Sequence, residues 1–452
     1  MGSIGIASET ARPSLAVRWL VPATIVVATA QNPLLVLLAG GDQMALGANP
    51  SILATPIRYL DDLLILLLAV ALFPRLTRFH RRCARLVVGW AALVALAVVH
   101  AIAANIVPAG NAVTVARQVL MPVLIIGIGA SLRRNEWRAA AITTLALSAI
   151  NAPYTFLEWC GIRLFPPANL GYLDGGWVYP PPLNLPYNFV SWSSPTEWSV
   201  RLGGLLINPP TLGIFAALSA SLTWWLLRNQ ALRYTLALAN AMVCFGTISR
   251  AGIMILLVGL LGPYFVKRVG RTISVIGFAV GITLGGTIIA TMPGSTKHVT
   301  GLVVGLTRGL KAPLGEGFGK VGNLAKAAVA GESLLGIAFS AMGWLAIALV
   351  AAIVIKLVLR LQSSTASWVP LVQLGALLAA ALAETGGAVY GTIPMWLFFG
   401  YALVNPDLAS LSLEPDRARN PKVLFGFDEL ASPEQPNRIC FRPVEDRRLL
   451  CK

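Results

Sequence analysis

The chain has 452 residues, 56% of them hydrophobic and only 12% charged, with a mean hydropathy of +0.73. An ordinary soluble domain carries about 25% charged residues, so the composition excludes a soluble globular protein and points to a polytopic membrane protein. The formal charge of +16, from 35 Lys and Arg against 19 Asp and Glu, suits nucleic acid, anionic lipid or an anionic substrate, and its distribution along the chain has to decide between them.

The apolar residues fall in blocks long enough for a helix to cross ~30 Å of hydrocarbon. Backbone in lipid allows only helices or a closed barrel, and runs such as 334–355 lack the period-two alternation of barrel strands, so the fold class is all-α. Twelve spans are predicted in chain order, at about 16–39, 52–73, 86–106, 112–131, 139–158, 204–227, 233–249, 251–266, 272–292, 334–355, 367–383 and 387–404. The first reads as a retained helix, because no convincing small-residue cleavage site precedes it. With the N-terminus in the cytoplasm, Arg75, Arg78, Arg81, Arg82 and Arg85 lie inside, followed by Arg133, Arg134 and Arg138, then Arg228 and Arg233, then Lys267, Arg268 and Arg271, then Lys356 and Arg360. This alternation is what the positive-inside rule demands. Residues 1–404 then form a transmembrane domain, and 405–452, with eight basic and eight acidic residues, several prolines and little periodicity, read as a poorly ordered cytoplasmic tail. The five cysteines follow no metal-ligand spacing, and neither a disulfide nor a zinc site is expected.

Ten basic residues remain outside or within spans: Arg58, Arg117, Arg163, Arg201, Arg250, Lys297, Arg308, Lys311, Lys320 and Lys326. Topogenesis disfavours them there, so another role retains them. Two outer loops are long, about 159–203 and 293–333, and long ordered loops tend to carry function. The first is rich in aromatics, among them Trp159, Trp177, Trp192 and Trp198, and reads either as an interfacial belt or as a platform for sugar rings. The second is rich in glycine and lysine, and its segment 324–335 has the pattern of an amphipathic surface helix standing over the membrane core. Arg58 with Asp61 and Asp62 spans one helical turn and reads as a structural ion pair, with proton coupling as the sharper option. His80, His100 and His298 share no ligand spacing.

Three segments fall on the same outer face: Arg201 to Gly213 (RLGGLLINPPTLG), Thr247 to Gly252 (TISRAG) in a tight interhelical turn, and Arg308 to Gly319 followed by Glu332 to Leu335. Together they resemble the O-antigen ligase and Wzy-type polysaccharide polymerase superfamily. The family pattern of an Arg, a Gly three residues on, Asn-Pro and a helix-entering Gly is met by Arg201, Gly204, Asn208, Pro209 and Gly213. Its Ser-Arg tip is met by Ser249 and Arg250, and its Gly-x-Gly-x-Gly stretch by Gly315, Gly317 and Gly319. The resemblance covers about 200–360, while the first five helices match in hydropathy alone. One departure is Glu332, where ligases and many polymerases have His, and it favours the polymerase side.

The resemblance implies a bacterial inner-membrane glycosyltransferase that joins polyprenyl-diphosphate-linked oligosaccharide repeats at the periplasmic face. Membrane lipids, a chain-length-regulating protein and export machinery are its candidate further partners, and no nucleic acid is. The residues fit such chemistry independently. Arginine's planar fork suits phosphate oxygens, so Arg201, Arg250 and Arg308 form a candidate diphosphate clamp, with Lys311, Asn208, Ser249 and Trp198 as further candidate substrate contacts. Inverting transfer needs a base, for which Glu332 is the first candidate, Glu316 the reserve, and Glu158 and Glu197 weaker options. No outer loop carries an Asp-x-Asp pair, so metal-independent chemistry without a cofactor is expected. Bland readings stand beside these: Arg201 and Arg250 as anchors to lipid phosphates, Glu332 as a helix N-terminal charge, and the loop lysines as a solvated face. A finished-glycan ligase shares the donor chemistry, and a twelve-helix transporter or lipid-linked oligosaccharide flippase is the alternative from another class.

Overall fold

The apolar blocks do form helices, and where they stop is set by glycine, proline and polar caps. The computed structural model describes residues 15–39, 54–162, 190–192, 198–270, 272–277, 280–281, 296–321, 332–361, 367–383, 387, 389–405 and 408. The first five helices are α1 (Leu15–Ala39), α2 (Ala54–Phe79), α3 (Arg81–Ala103), α4 (Ala109–Ser131) and α5 (Arg134–Trp159). A short antiparallel ladder follows, β1 (Val190–Trp192) on β2 (Trp198–Val200), with Ser191 opposite Ser199. Next come α6 (Pro209–Leu226), α7 (Gln230–Gly246), α8 (Arg250–Leu260), α9 (Gly262–Val269), α10 (Thr296–Lys311), α11 (Leu334–Met342), α12 (Trp344–Arg360), α13 (Trp368–Leu382) and α14 (Val389–Val404). Among the described residues, α3, α4 and α5 are long and apolar enough to cross a membrane, and α8 with α9 makes a fourth if the bent pair is one span.

Several expected boundaries are corrected. The predicted span 52–73 runs on to Phe79, and α3 starts at Arg81, so Arg75, Arg78, Arg81, Arg82 and Arg85 are helical and only His80 separates the two helices. Arginine has high helix propensity, and the helix runs on past Pro74, with His80 N still donating to the Leu76 carbonyl at 2.9 Å. The span 251–266 bends by 43° between Leu260 and Gly262, where Pro263 cannot continue the hydrogen-bond ladder. The span 334–355 breaks at Gly343, whose φ of +65° is open to glycine. Leu334 and Ala338 of α11 line the same apolar cavity as Leu349 and Ile353 of α12, so these two helices stand side by side rather than end to end. The predicted loop 293–333 contains α10, and Glu332 and Ser333, expected within a surface helix, are non-helical residues preceding α11. The rest of that helix, most of the span 272–292, most of the first long loop and nearly all of the expected tail lie outside the described residues.

Small residues bring the backbones together. A Cβ on Gly129 would meet the Leu397 carbonyl, and one on Gly400 the Ile126 carbonyl, which sets α4 directly against α14. Gly252 of α8 lies against the backbone of Gly213 in α6, and Gly375 of α13 against Ile255. Gly301, Gly305 and Gly309, one turn apart on α10, seat Gly336 and Phe339 of α11, so the two helices run side by side in the same direction. Close backbone approach at small residues is the packing mode of helices that gain little from hydrophobic exclusion of water.

Ion pairs tie the first half. Arg75 reaches both oxygens of the fully buried Glu136 at 2.9 and 3.0 Å, and Glu136 also accepts the Arg133 backbone N–H, closing the first turn of α5. Asp62 pairs with Arg117 of α4, and Asp61 accepts a 2.8 Å hydrogen bond from Gln31 of α1. Asp62 thus has a partner on another helix, and the expected one-turn pair with Arg58 involves a side chain that lies outside the described residues.

Candidate functional site

The site begins with the segment that joins β2 to α6. Its backbone is tied down by side chains of α5 and α1. Glu158 accepts from Gly204 N at 2.8 Å and from Gly203 N at 3.4 Å, Asn151 accepts from Leu205 N at 2.8 Å, and Asn32 donates to the Leu206 carbonyl at 2.7 Å. Each of these side chains is buried, where a lost hydrogen bond exposes the full desolvation cost of its partner. Glu158, a weak candidate base in sequence, is thus committed to the backbone.

The segment ends at Asn208, which caps α6 by accepting from Thr211 N at 3.1 Å. Ser249 caps α8 in the same way, accepting from Gly252 N at 3.2 Å and donating to the Pro210 carbonyl at 3.1 Å. Asn208 and Ser249 are both buried, so they join the starts of α6 and α8 rather than presenting polar groups to a ligand. Each cap follows an isoleucine in the left-handed region, Ile207 at φ +51° and Ile248 at φ +53°. That conformation costs a β-branched residue of order 1–3 kcal/mol, and strain of this kind collects at functional sites.

Arg201 crosses to the second cap. Its Nε donates to the Thr247 carbonyl at 2.8 Å and its Nη2 approaches the Ile248 carbonyl at 3.5 Å, while Leu202 N donates to the Gly246 carbonyl at 3.1 Å. The guanidinium is half-buried and aimed at the turn that presents Arg250. Arg250, also half-buried, opens α8 and is drawn electrostatically to Glu332. His298 completes the group, with Nδ1 at 3.3 Å from the Glu332 carboxylate and 3.4 Å from its carbonyl. Burial pushes the His298 imidazolium below its ordinary range; Glu332 pulls it back up, and Arg250 and Arg201 push it down again. Two arginines, one carboxylate and one histidine therefore share one field.

The start of α11 beside this cluster packs among the helices. Leu334, two residues from Glu332, shares its apolar cavity of about 90 Å³ with Trp90 and Val119, which lie near the midpoints of α3 and α4. Most of the segment 324–335 expected to stand over the membrane core lies outside the described residues; its described end enters α11, which packs against α10.

The structure brings together Arg201, Arg250 and Glu332, three residues drawn from separate sequence segments, but not the whole predicted clamp. Arg308 lies ten residues beyond His298 on α10, about 15 Å of helix, and pairs with Glu316 at 3.0 Å. Glu316, the reserve base, is held by that pair, and Lys311 is exposed at the end of α10. Gly315, Gly317 and Gly319 all have positive φ, and their segment docks on α11 through Glu316 N to Ser340 O at 2.8 Å and on the end of α3 at Ala101. The triple glycine serves these close backbone approaches. Trp198 lies in β2, and its side chain is outside the described residues, as is Glu197.

Sequence reasoning missed His298, whose value lies in proximity to a residue 34 positions away. The available signal was the glycine repeat that follows it, Gly301, Gly305 and Gly309, which marks a tightly packed helix where a loop was expected. Among the described residues, no three His, Cys, Asp or Glu side chains assemble as a metal-ligand group. Comparison of the chain with protein-family models, curated proteins and solved structures finds no match.

Proposed function

We propose that the protein is a polytopic bacterial inner-membrane glycosyltransferase of the polysaccharide-polymerase type, joining polyprenyl-diphosphate-linked oligosaccharide repeats at the periplasmic face. The observation that carries this reading is the convergence of Arg201, Arg250, His298 and Glu332 from four separate segments. The twelve-span topology and the cytoplasmic termini belong to the same proposal.

In this reading the arginines receive the donor diphosphate. Arg201 is oriented towards the second cap by the Thr247 carbonyl, and Arg250 opens a helix N-terminus, itself favourable to anions. The acceptor hydroxyl attacks the anomeric carbon as the bond from that carbon to the diphosphate oxygen breaks. Glu332 takes the hydroxyl proton, and the leaving electron pair stays on the diphosphate, where the arginines stabilise it. His298, kept neutral by burial, can accept that proton from Glu332 and reset it. The apolar cavity beginning at Leu334 gives the first isoprene units of the donor a wall beside the reacting centre. The proposed chemistry uses no metal ion, so chelation with EDTA should leave the rate unchanged.

The test is reconstitution of the purified protein in liposomes with a polyprenyl-diphosphate-linked repeat from its host. A gel ladder of repeat multiples is expected. Glu332→Gln should slow the chemical step while donor binding persists. No extension of an authentic donor by folded protein would overturn the polymerase reading and send the weight to a ligase, tested with a candidate acceptor.

A further inference from the structure

At the opposite end of α2 and α3 from Asp61 and Asp62, the arginines find a different setting. Arg75 is engaged by Glu136, and Arg78 lies over the Phe79 ring at 5.5 Å. Arg81 and Arg85, four residues apart on one face of α3, are exposed and make no ion pair among the described residues. Two like charges at this spacing repel, so an uncompensated pair needs a reason to be kept.

Both arginines line the mouth of a groove between α2 and α3. Its wider part, about 550 Å³, is bounded by Phe73, Thr77, Arg81, Arg85, Val88 and Gly89. Phe73 and Val88 also bound a second part of about 370 Å³, which continues along Leu66, Val70 and Ala91 to a floor at Gly127 of α4. Gly89 keeps the groove open, since a Cβ there would meet nothing within 4 Å. From Thr77 to Leu66 the groove follows eleven residues of α2, about 16 Å, which matches one leaflet of a hydrocarbon core of ~30 Å. One end is cationic and polar, and the remainder is apolar for the depth of an acyl chain.

We infer that this groove is a binding site for one anionic phospholipid, its acyl chain lying between α2 and α3 and its headgroup phosphate held by Arg81 and Arg85. Charge complementarity selects the occupant: two guanidiniums reward a phosphate that carries net negative charge and gain less from a zwitterionic headgroup. The apolar length excludes a free phosphate compound as the natural ligand. This inference rests on the protein being embedded in a membrane and not on glycosyl transfer, so either proposal can fail alone.

The experiment is native mass spectrometry of the full chain in mixed micelles holding equal amounts of phosphatidylglycerol and phosphatidylcholine. One retained phosphatidylglycerol is expected, at about tenfold or more over phosphatidylcholine for two arginines near the surface. Arg81→Gln with Arg85→Gln should abolish the preference. Gly89→Leu, which fills the groove and leaves both charges, should lower retention of phosphatidylglycerol. Glycerol 3-phosphate in solution should not displace the lipid. Equal retention of the two lipids by the wild-type chain, a preference that survives the double arginine change, undiminished retention by Gly89→Leu, or displacement by glycerol 3-phosphate would each overturn the site. If a variant fails to fold, the wild-type preference and the displacement arm still decide.

Discussion

Two regions of the bundle handle buried charge in opposite ways. Across α2, α4 and α5, arginine meets carboxylate: Arg75 with Glu136 and Arg117 with Asp62. In the cluster at the starts of α6, α8 and α11, Arg201 is directed by backbone carbonyls, and one carboxylate, Glu332, shares its field with Arg250 and His298. A matched pair spends its charge on holding helices together. In the second region the charges of Arg250, Glu332 and His298 act on one another across three separate segments at the joint between helices. If that distinction is real, substitutions in the first region should change stability with little effect on turnover per folded molecule, and those in the second should do the reverse.

The largest effect is expected where the matched pair is broken. Arg75→Ala leaves Glu136 fully buried and without its cation, and removing one partner of such a pair costs about 3–5 kcal/mol. Thermal unfolding in detergent should show this loss, while ladder formation normalised to folded protein stays near the wild-type level. A large loss of specific activity would join the two regions into one device.

Arg250→Ala tests the other side. Loss of one preorganised group at the position where charge develops costs about 10²–10³ in rate, and the protein should remain folded in the membrane. Wild-type ladder formation by this variant would remove the clamp, and unfolding would place Arg250 with Arg75 among the structural charges.

The joint between α6 and α8 comes third. A Cβ on Gly252 would lie 2.5 Å from the Gly213 backbone, so Gly252→Ala should cost about 1–3 kcal/mol of stability and disturb Arg250 together. Gly110→Ala is the control, because nothing lies within 4 Å of its added carbon. Equal behaviour of the two variants would mean that the glycine contact does not position the site.

What was legible in the sequence follows from these physics. Long apolar blocks declared helices, since composition and length are local properties, and Arg201, Asn208, Ser249 and Arg250 stood out because the short segments that carry them resemble a family pattern that can be read without three-dimensional information. The breaks at Gly262 and Gly343 were hidden inside continuous hydropathy, which does not register backbone direction. Arg308 looked like a third clamp residue by charge alone, and only the three-dimensional path of α10 gives it to Glu316. His298 carried no motif, and its role depends on a contact closed by the α10–α11 glycine stripe.

The smallest expected effect is also the one that separates a reset residue from a structural one. A histidine lowered below its ordinary value binds a proton more readily unfolded than folded, so acid destabilises the native state as pH falls below about 6.5. Its contribution is complete above that range. If neutral His298 receives the proton from Glu332, the acid limb of the pH–rate profile should lie below about 6.5. Arg201→Gln removes one of the two cations that push His298 down, and should move that limb upward. His298→Gln should lower the rate and erase the limb. A profile that keeps its acid limb in that variant would assign the titration elsewhere and reduce His298 to a spacer between α10 and α11; a limb that vanishes in His298→Gln and shifts in Arg201→Gln requires the two residues to face the same reacting proton.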